Sequence, residues 1–193
     1  MEEKQLSTKE KILVEAMKLF AIQGFEAVSV RAIAKEVGVR DSALYKHYAS
    51  KQAIFDAIVE ESKKRFWDKY RTICEQYTGK FELEDMCMNM FYFQTRDEWI
   101  VRFRQMLVIE QFKNPQMAAI YKELFVDMPI QNQAIIFQKL IDKGYVKKRD
   151  SLVMSMELYA PFFLYHTIKE DEKMIEELFR KHVRHFKESY FME

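Results

Sequence analysis

"FAIQGFEAVSVRAIAKEVGVRDSALYKHYASKQAIFDAI", Phe20 to Ile58, is the stretch whose reading decides the fold. Gly24 closes one apolar helical pattern, and Gly38 interrupts a second after only a few turns. Leu44 and Tyr48 then lie one turn apart beyond that break, and Ser50 stands where a long helix should begin. Between them, Tyr45, Lys46, His47 and Tyr48 are crowded together, and burying all four would be costly. Part of this segment therefore faces something outside the chain.

Working outward toward the N-terminus, Ser7 and Glu10 form an S-x-x-E capping box that starts a first helix. Ile12, Leu13, Ala16, Leu19 and Phe20 give it one apolar stripe, and a left-handed cap is expected at Gly24. Ser29 is a plausible N-cap for a second, short helix carrying Val30, Ile33 and Val37. Ser50 caps a long helix through Ile54, Phe55, Ile58, Val59, Phe66 and Tyr70. Short helices are marginal alone in water, so two of them joined at a glycine must be held by packing against a third. That is the helix-turn-helix arrangement.

Placed on a helix at about 100° per residue, residues 40–48 put Leu44 and Tyr48 on one side. Ser42, Tyr45 and Lys46 fall on the opposite arc, with Ala43 at its edge and His47 on a flank. Hydroxyls and a cation on a narrow rod suit the major groove, where side chains read base edges and phosphate contacts fix the register. Lys51 and Ser29, each opening a helix, stand beside free backbone N–H groups that can hold phosphate. Arg31 on the second helix belongs to the same expected set.

Farther along, the texture changes. Ten of the twelve Met lie beyond residue 80, with most of the aromatic residues. Helical patterns run over roughly 81–94, 97–112, 115–143, 151–168 and 171–190. Pro129 and Pro161 should end or kink the helices that contain them. Only four Gly and three Pro occur in 193 residues, which excludes a turn-rich all-β fold and predicts an all-α one.

Charge and cysteine usage narrow the partners. The formal net charge is +1, so nucleic-acid binding must rest on local geometry rather than a global field. Residues 1–51 carry nine Lys/Arg against seven Asp/Glu, the remainder twenty-two against twenty-three. Cys74 and Cys87 are the only cysteines, far from C-x-x-C spacing, which points to a reducing cytoplasm with no disulfide framework or zinc cluster. The start, "MEEKQLSTKEK", lacks the apolar run of a signal peptide. "LVMSMELYAPFFLYHTI", Leu152 to Ile168, is too short and too interrupted to span a membrane. His182 and His185 form at most half a metal site, and neither a Gly-rich phosphate loop nor H-E-x-x-H occurs. No cofactor, metal or catalytic role is expected.

From about Lys11 to Ile58 the residues resemble the DNA-binding domain of the tetracycline-repressor (TetR) family of transcriptional regulators. The resemblance rests on Phe20, Gly24 and Phe25, then Ile33-Ala34, Gly38-Val39, Leu44-Tyr45, His47-Tyr48 and Ser50-Lys51. It implies a three-helix DNA-binding domain over residues 1–52, extending into a long helix over about 51–76. A helical effector-binding and dimerisation domain would follow over 53–193. It also implies a homodimer that reads a palindromic operator, usually to repress. Tyr45, His47 and Lys51 would contact phosphate, while Arg40, Ser42, Ala43 and Lys46 approach bases. Arg40 and Asp41 depart from the family's frequent Ser-Lys. Arg40 could read guanine, and Asp41 could accept from cytosine or act as a helix-start carboxylate.

In the C-terminal part the resemblance implies an effector pocket over about 81–168. Polar groups in apolar surroundings, Asn89, Glu110 and His166, are candidate ligand contacts, with Phe103, Met106, Phe137, Tyr159 and Phe162 beside them. The expected effector is largely apolar or aromatic. The last two patterns, about 151–190, carry the expected dimer interface, because the first of them has more apolar surface than one neighbour covers. The competing reading is a helical small-molecule-binding or adaptor protein without DNA binding.

Overall fold

The computed structural model describes residues 6–76, 82–167 and 172–192. Helices α1 (Thr8–Gln23), α2 (Val30–Val37), α3 (Asp41–Tyr45) and α4 (Lys51–Gln76) come first. Next are α5 (Leu83–Arg96), α6 (Glu98–Glu110), α7 (Pro115–Lys122), α8 (Met128–Asp142), α9 (Ser151–Thr167) and α10 (Glu172–Tyr190). Among the described residues no strand forms. One isolated antiparallel bridge pairs Val146 with Phe191. The fold is all-α, as the sparse Gly and Pro require.

Two compact units emerge, and they do not follow chain order. The first comprises Met1–Tyr70 with Arg96–Tyr121, and the second Arg71–Thr95 with Lys122–Glu193.

In the first unit α1 starts at the capping box: Ser7 Oγ accepts from Glu10 N at 3.3 Å, and Ser7 N donates to Glu10 Oε2 at 2.8 Å. Its buried face is Ile12, Ala16, Met17, Phe20 and Ala21, with Leu13 and Leu19 only half-buried. The stripe is thus rotated from the expected one toward Met17 and Ala21. Gly24 has φ 83 but ψ 158, so the expected left-handed cap is not adopted. The chain leaves α1 extended, in a region that only glycine enters cheaply. Packing of α1 along α2 and α6 completes this unit, and Ser62 Oγ accepts from Trp99 Nε1 at 2.8 Å.

The second unit is built on aromatic residues. Phe91 stacks on Phe179 at 4.7 Å, and Tyr159 on Phe162 at 4.8 Å. Phe137, Met154, Leu158 and Val183 fill the same core. At its edge Glu84 accepts from Arg184 Nε at 2.9 Å and from Arg180 at 3.3 Å. The hydrogen bond from Arg184 is the main reason the Glu84 carboxyl lies below its ordinary range.

Two details differ from the periodicity. The 115–143 pattern is broken by a π-helical turn, Glu123–Asp127, directly before Pro129 at the start of α8. Pro129 lacks an N–H where the first turn of a helix needs none, so it starts α8 rather than ending a helix. Pro161, by contrast, lies inside α9, which continues through it to Thr167. Expected helix limits at 81, 168 and 171 lie outside the described residues.

Candidate nucleic-acid interface

Ser29 caps α2 with its side chain, accepting from Ala32 N at 3.1 Å. Gly38 closes the helix in the left-handed conformation, φ 76 and ψ 31. An added Cβ there would meet nothing within 4 Å, so the backbone conformation, not crowding, is what demands glycine. Val39 N donates back to Ala34 O at 2.9 Å, turning the chain sharply into α3.

The regular part of α3 is only five residues, shorter than the 40–48 rod expected from the pattern. It starts when Ala43 N and Leu44 N both turn onto Arg40 O, and it tightens at its end as His47 N and Tyr48 N share Leu44 O. Lys46 and His47 therefore project from a hydrogen-bonded turn rather than from a helical turn. The facing is as the pattern predicts. Leu44 is 0% and Tyr48 6% exposed, whereas Tyr45 is 53% exposed. Arg31, Arg40, Asp41, Ser42, Lys46 and His47 are also exposed, and Ala43 is half-buried at the edge.

Two features of the support were not legible from spacing. Tyr48 Oη is buried and has no hydrogen-bond partner among the described residues, while Lys9 Nζ stands 5.7 Å from the ring centroid. Burial pushes this phenol above its ordinary range. Lys51, which the resemblance assigns to phosphate, has its ammonium engaged within the chain: Nζ donates to Phe25 O at 2.8 Å and to Glu26 O at 3.3 Å. It also lies over the Phe25 ring at 4.4 Å. Ser50 Oγ accepts from Ala53 N at 3.0 Å, capping α4 as its position suggests.

The expected effector contacts fall into both units. Phe103 and Met106, each 0% exposed, fill the core of the first. Glu110 is buried there too, and its Oε1 accepts from Phe25 N at 2.9 Å. Phe137, Tyr159 and Phe162 belong to the aromatic core of the second unit, where Tyr159 Oη donates to Gln94 Oε1 at 3.4 Å. Asn89 Nδ2 donates to Asp85 O at 3.1 Å, one turn back along its own helix. The His166 side chain lies outside the described residues. Among the described residues no group of three or more His, Cys, Asp or Glu could hold a metal ion, and no helix is long and apolar enough to cross a membrane.

Residues 12–58 match the family model of bacterial regulatory proteins, tetR family. The HTH-type transcriptional regulator UidR of Escherichia coli (strain K12) is 28% identical over 116 residues, 60% of this chain but only 57% of that relative. Among solved structures, the ketosteroid transcriptional regulator KstR2 of Mycobacterium tuberculosis superposes with a TM-score of 0.69 at 18% identity, covering 98% of each chain. A complex of SmeT with triclosan superposes with a TM-score of 0.70 at 18% identity, covering 97% of this chain and 93% of that one. At these identities the structural likeness concerns the fold.

Proposed function

Because residues 12–58 match the family model of bacterial regulatory proteins, tetR family, we propose that this chain is a ligand-responsive transcriptional regulator of that family rather than an enzyme. In this reading residues 1–52 bind a palindromic operator and residues 53–193 hold an effector and form a homodimer. The observation that carries the reading is the split of α3 and its exit turn into two faces. Leu44 and Tyr48 are sealed behind, while Ser42, Tyr45, Lys46 and His47 stand free in front.

On duplex DNA that front face enters the major groove. Tyr45 and His47 reach phosphate, and Arg40, Ser42, Ala43 and Lys46 lie over base edges. Ser29 and Arg31 flank them from α2. Lys51 contributes its charge from behind the interface while it holds the Phe25–Glu26 carbonyls. Two such faces, about 34–36 Å apart in a dimer, read half-sites one helical turn apart.

The dimer forms through α9 and α10. Leu152, Met156, Ala160 and Leu164 repeat every four residues on the exposed side of α9, and Met174 and Leu178 do so on α10. A row of exposed apolar side chains of this kind is a surface for a second copy, and two α9–α10 pairs make a four-helix bundle. The effector is a small, largely apolar or aromatic molecule held in the second unit beside Asn89, Phe137, Tyr159 and Phe162, a reading supported by SmeT's complex with triclosan. Effector binding favours a spacing of the two recognition faces that no longer matches DNA, so the protein represses until the ligand arrives. It acts in the cytoplasm.

Selection of bound duplexes from a random pool tests the reading. An enriched palindrome is expected, with log affinity falling linearly in log salt. Replacing Lys46 by Ala should relax one base position, at a cost of about 1–3 kcal/mol there. Failure to enrich any sequence, with affinity indifferent to salt, would leave the adaptor reading in its place.

A further inference from the structure

Glu110 is the last residue of α6, where the negative end of the helix dipole disfavours an anion. It is nonetheless buried, at 5% exposure. Its Oε1 takes the N–H of Phe25, 85 positions earlier in the chain. The approach is possible only because residue 24 is glycine: a Cβ there would collide with Glu110 Oε1. The extended, positive-φ backbone of Gly24 turns the Phe25 N–H toward that oxygen. On its other side, Phe25 offers its carbonyl to Lys51 Nζ at 2.8 Å, and its ring packs 5.2 Å from Phe20 and 5.4 Å from Phe55. One residue is thus clamped by a carboxylate from the end of α6 and an ammonium from the start of α4, with the recognition segment only six residues upstream of that ammonium.

We propose that Glu110 is a positioning residue for DNA reading: through Phe25 and Lys51 it ties the end of α6 to the start of α4 and so sets the pose of α3. Every member of the clamp lies in the first compact unit. The pose itself is a property of the chain alone. Its consequence for affinity rests on the DNA-binding reading given above.

Residue-resolved amide exchange on the intact, unliganded protein tests the clamp without DNA. In Glu110→Ala the Phe25 amide should exchange at least ~10-fold faster, the equivalent of about 1.4 kcal/mol. The Leu44 and Tyr48 amides, which close onto Arg40 O and Leu44 O, should accelerate with it. Val183 in the second unit should not change. Glu110→Gln keeps an acceptor oxygen and should stay within a few-fold of wild type. Lys51→Met keeps the stem over the Phe25 ring but loses both N–H bonds, and it too should accelerate Leu44 and Tyr48. This variant carries the test if Glu110→Ala does not fold. Acceleration confined to Phe25, or equal acceleration at Val183, overturns the proposal. With the duplex selected by the wild-type protein, Glu110→Ala should bind at least ~10-fold more weakly and Glu110→Gln nearly normally. Equal binding by all three refutes the link to DNA reading. A wild-type protein that selects no duplex refutes the functional reading and leaves the exchange result to decide the clamp.

Discussion

Truncating Leu44 to Ala separates the two faces of the recognition segment. The side chain is completely buried and is the one apolar residue that α3 itself commits to the core. Leu-to-Ala changes at such sites cost about 2–5 kcal/mol, depending on how far the cavity collapses. If all of this appeared in global unfolding, the melting temperature would fall by roughly 4–20 °C at 2–4 °C per kcal/mol for a chain of this size. Five residues cannot hold a helix unaided in water, so much of the loss should surface instead as local opening of α3. A competent fraction reduced to one-tenth weakens apparent DNA affinity about tenfold. Calorimetry and duplex titration on Leu44→Ala, beside Ser42→Ala, make the assay. The exposed Ser42 variant should melt within about 0.5 kcal/mol of wild type and still lose affinity. Leu44→Ala should lose both. A Leu44→Ala protein that melts lower yet binds the selected duplex as tightly as wild type would refute the idea that the pose of α3 is what DNA reads.

Other expected outcomes follow from separate sites. Met156→Glu, on the exposed row of α9, should convert the proposed dimer to monomer in light scattering at micromolar concentration, weakening self-association by about 2 kcal/mol or more; its helicity should not change. Tyr48→Phe removes a buried hydroxyl that has no partner among the described residues, so the melt should rise or hold, by up to ~1–3 kcal/mol. A clear fall would mean that the hydroxyl is bonded. Cys87 is buried, and burial, with the Glu84 charge second, pushes its thiol from 9.0 up to about 12. The folded protein therefore keeps a proton that the unfolded chain releases. Stability from this group is complete below about pH 9 and is lost as pH rises through about 12. Tyr48, Tyr92, Tyr121, Tyr165 and Tyr190 are shifted upward too, in the same direction. Melting temperature measured across this alkaline range should fall, and iodoacetamide at pH 8 should leave Cys87 unmodified until the protein unfolds.

Local signals in the sequence were read well because their physics is local. Ser7 with Glu10, Ser29, Gly38 and Ser50 each satisfy or turn a few nearby backbone groups, and each does so in the structure. The phase of Leu44 and Tyr48 follows from helical periodicity alone, even though the helix itself is shorter than the pattern. Glu110 is different. A glutamate in an apolar run advertises a buried charge but not its partner, and Phe25 lies 85 residues away. Lys51 was legible as a cation at a helix start, but its closure onto Phe25 O depends on the extended backbone at Gly24. Pro161 does not end its helix, because α9 continues through it to Thr167. Phe137 and Tyr159 lie in the aromatic core of the second unit, and nothing in their spacing separates a core filler from a ligand contact.

The most direct measurement is the map of amide and side-chain chemical shifts when the labelled protein is titrated with the duplex it selects. The account predicts perturbations concentrated on Arg40, Ser42, Tyr45, Lys46 and His47, with Ser29 and Arg31 at the margin. Perturbations that spare Ser42, Tyr45 and Lys46 and gather elsewhere in the chain would contradict it.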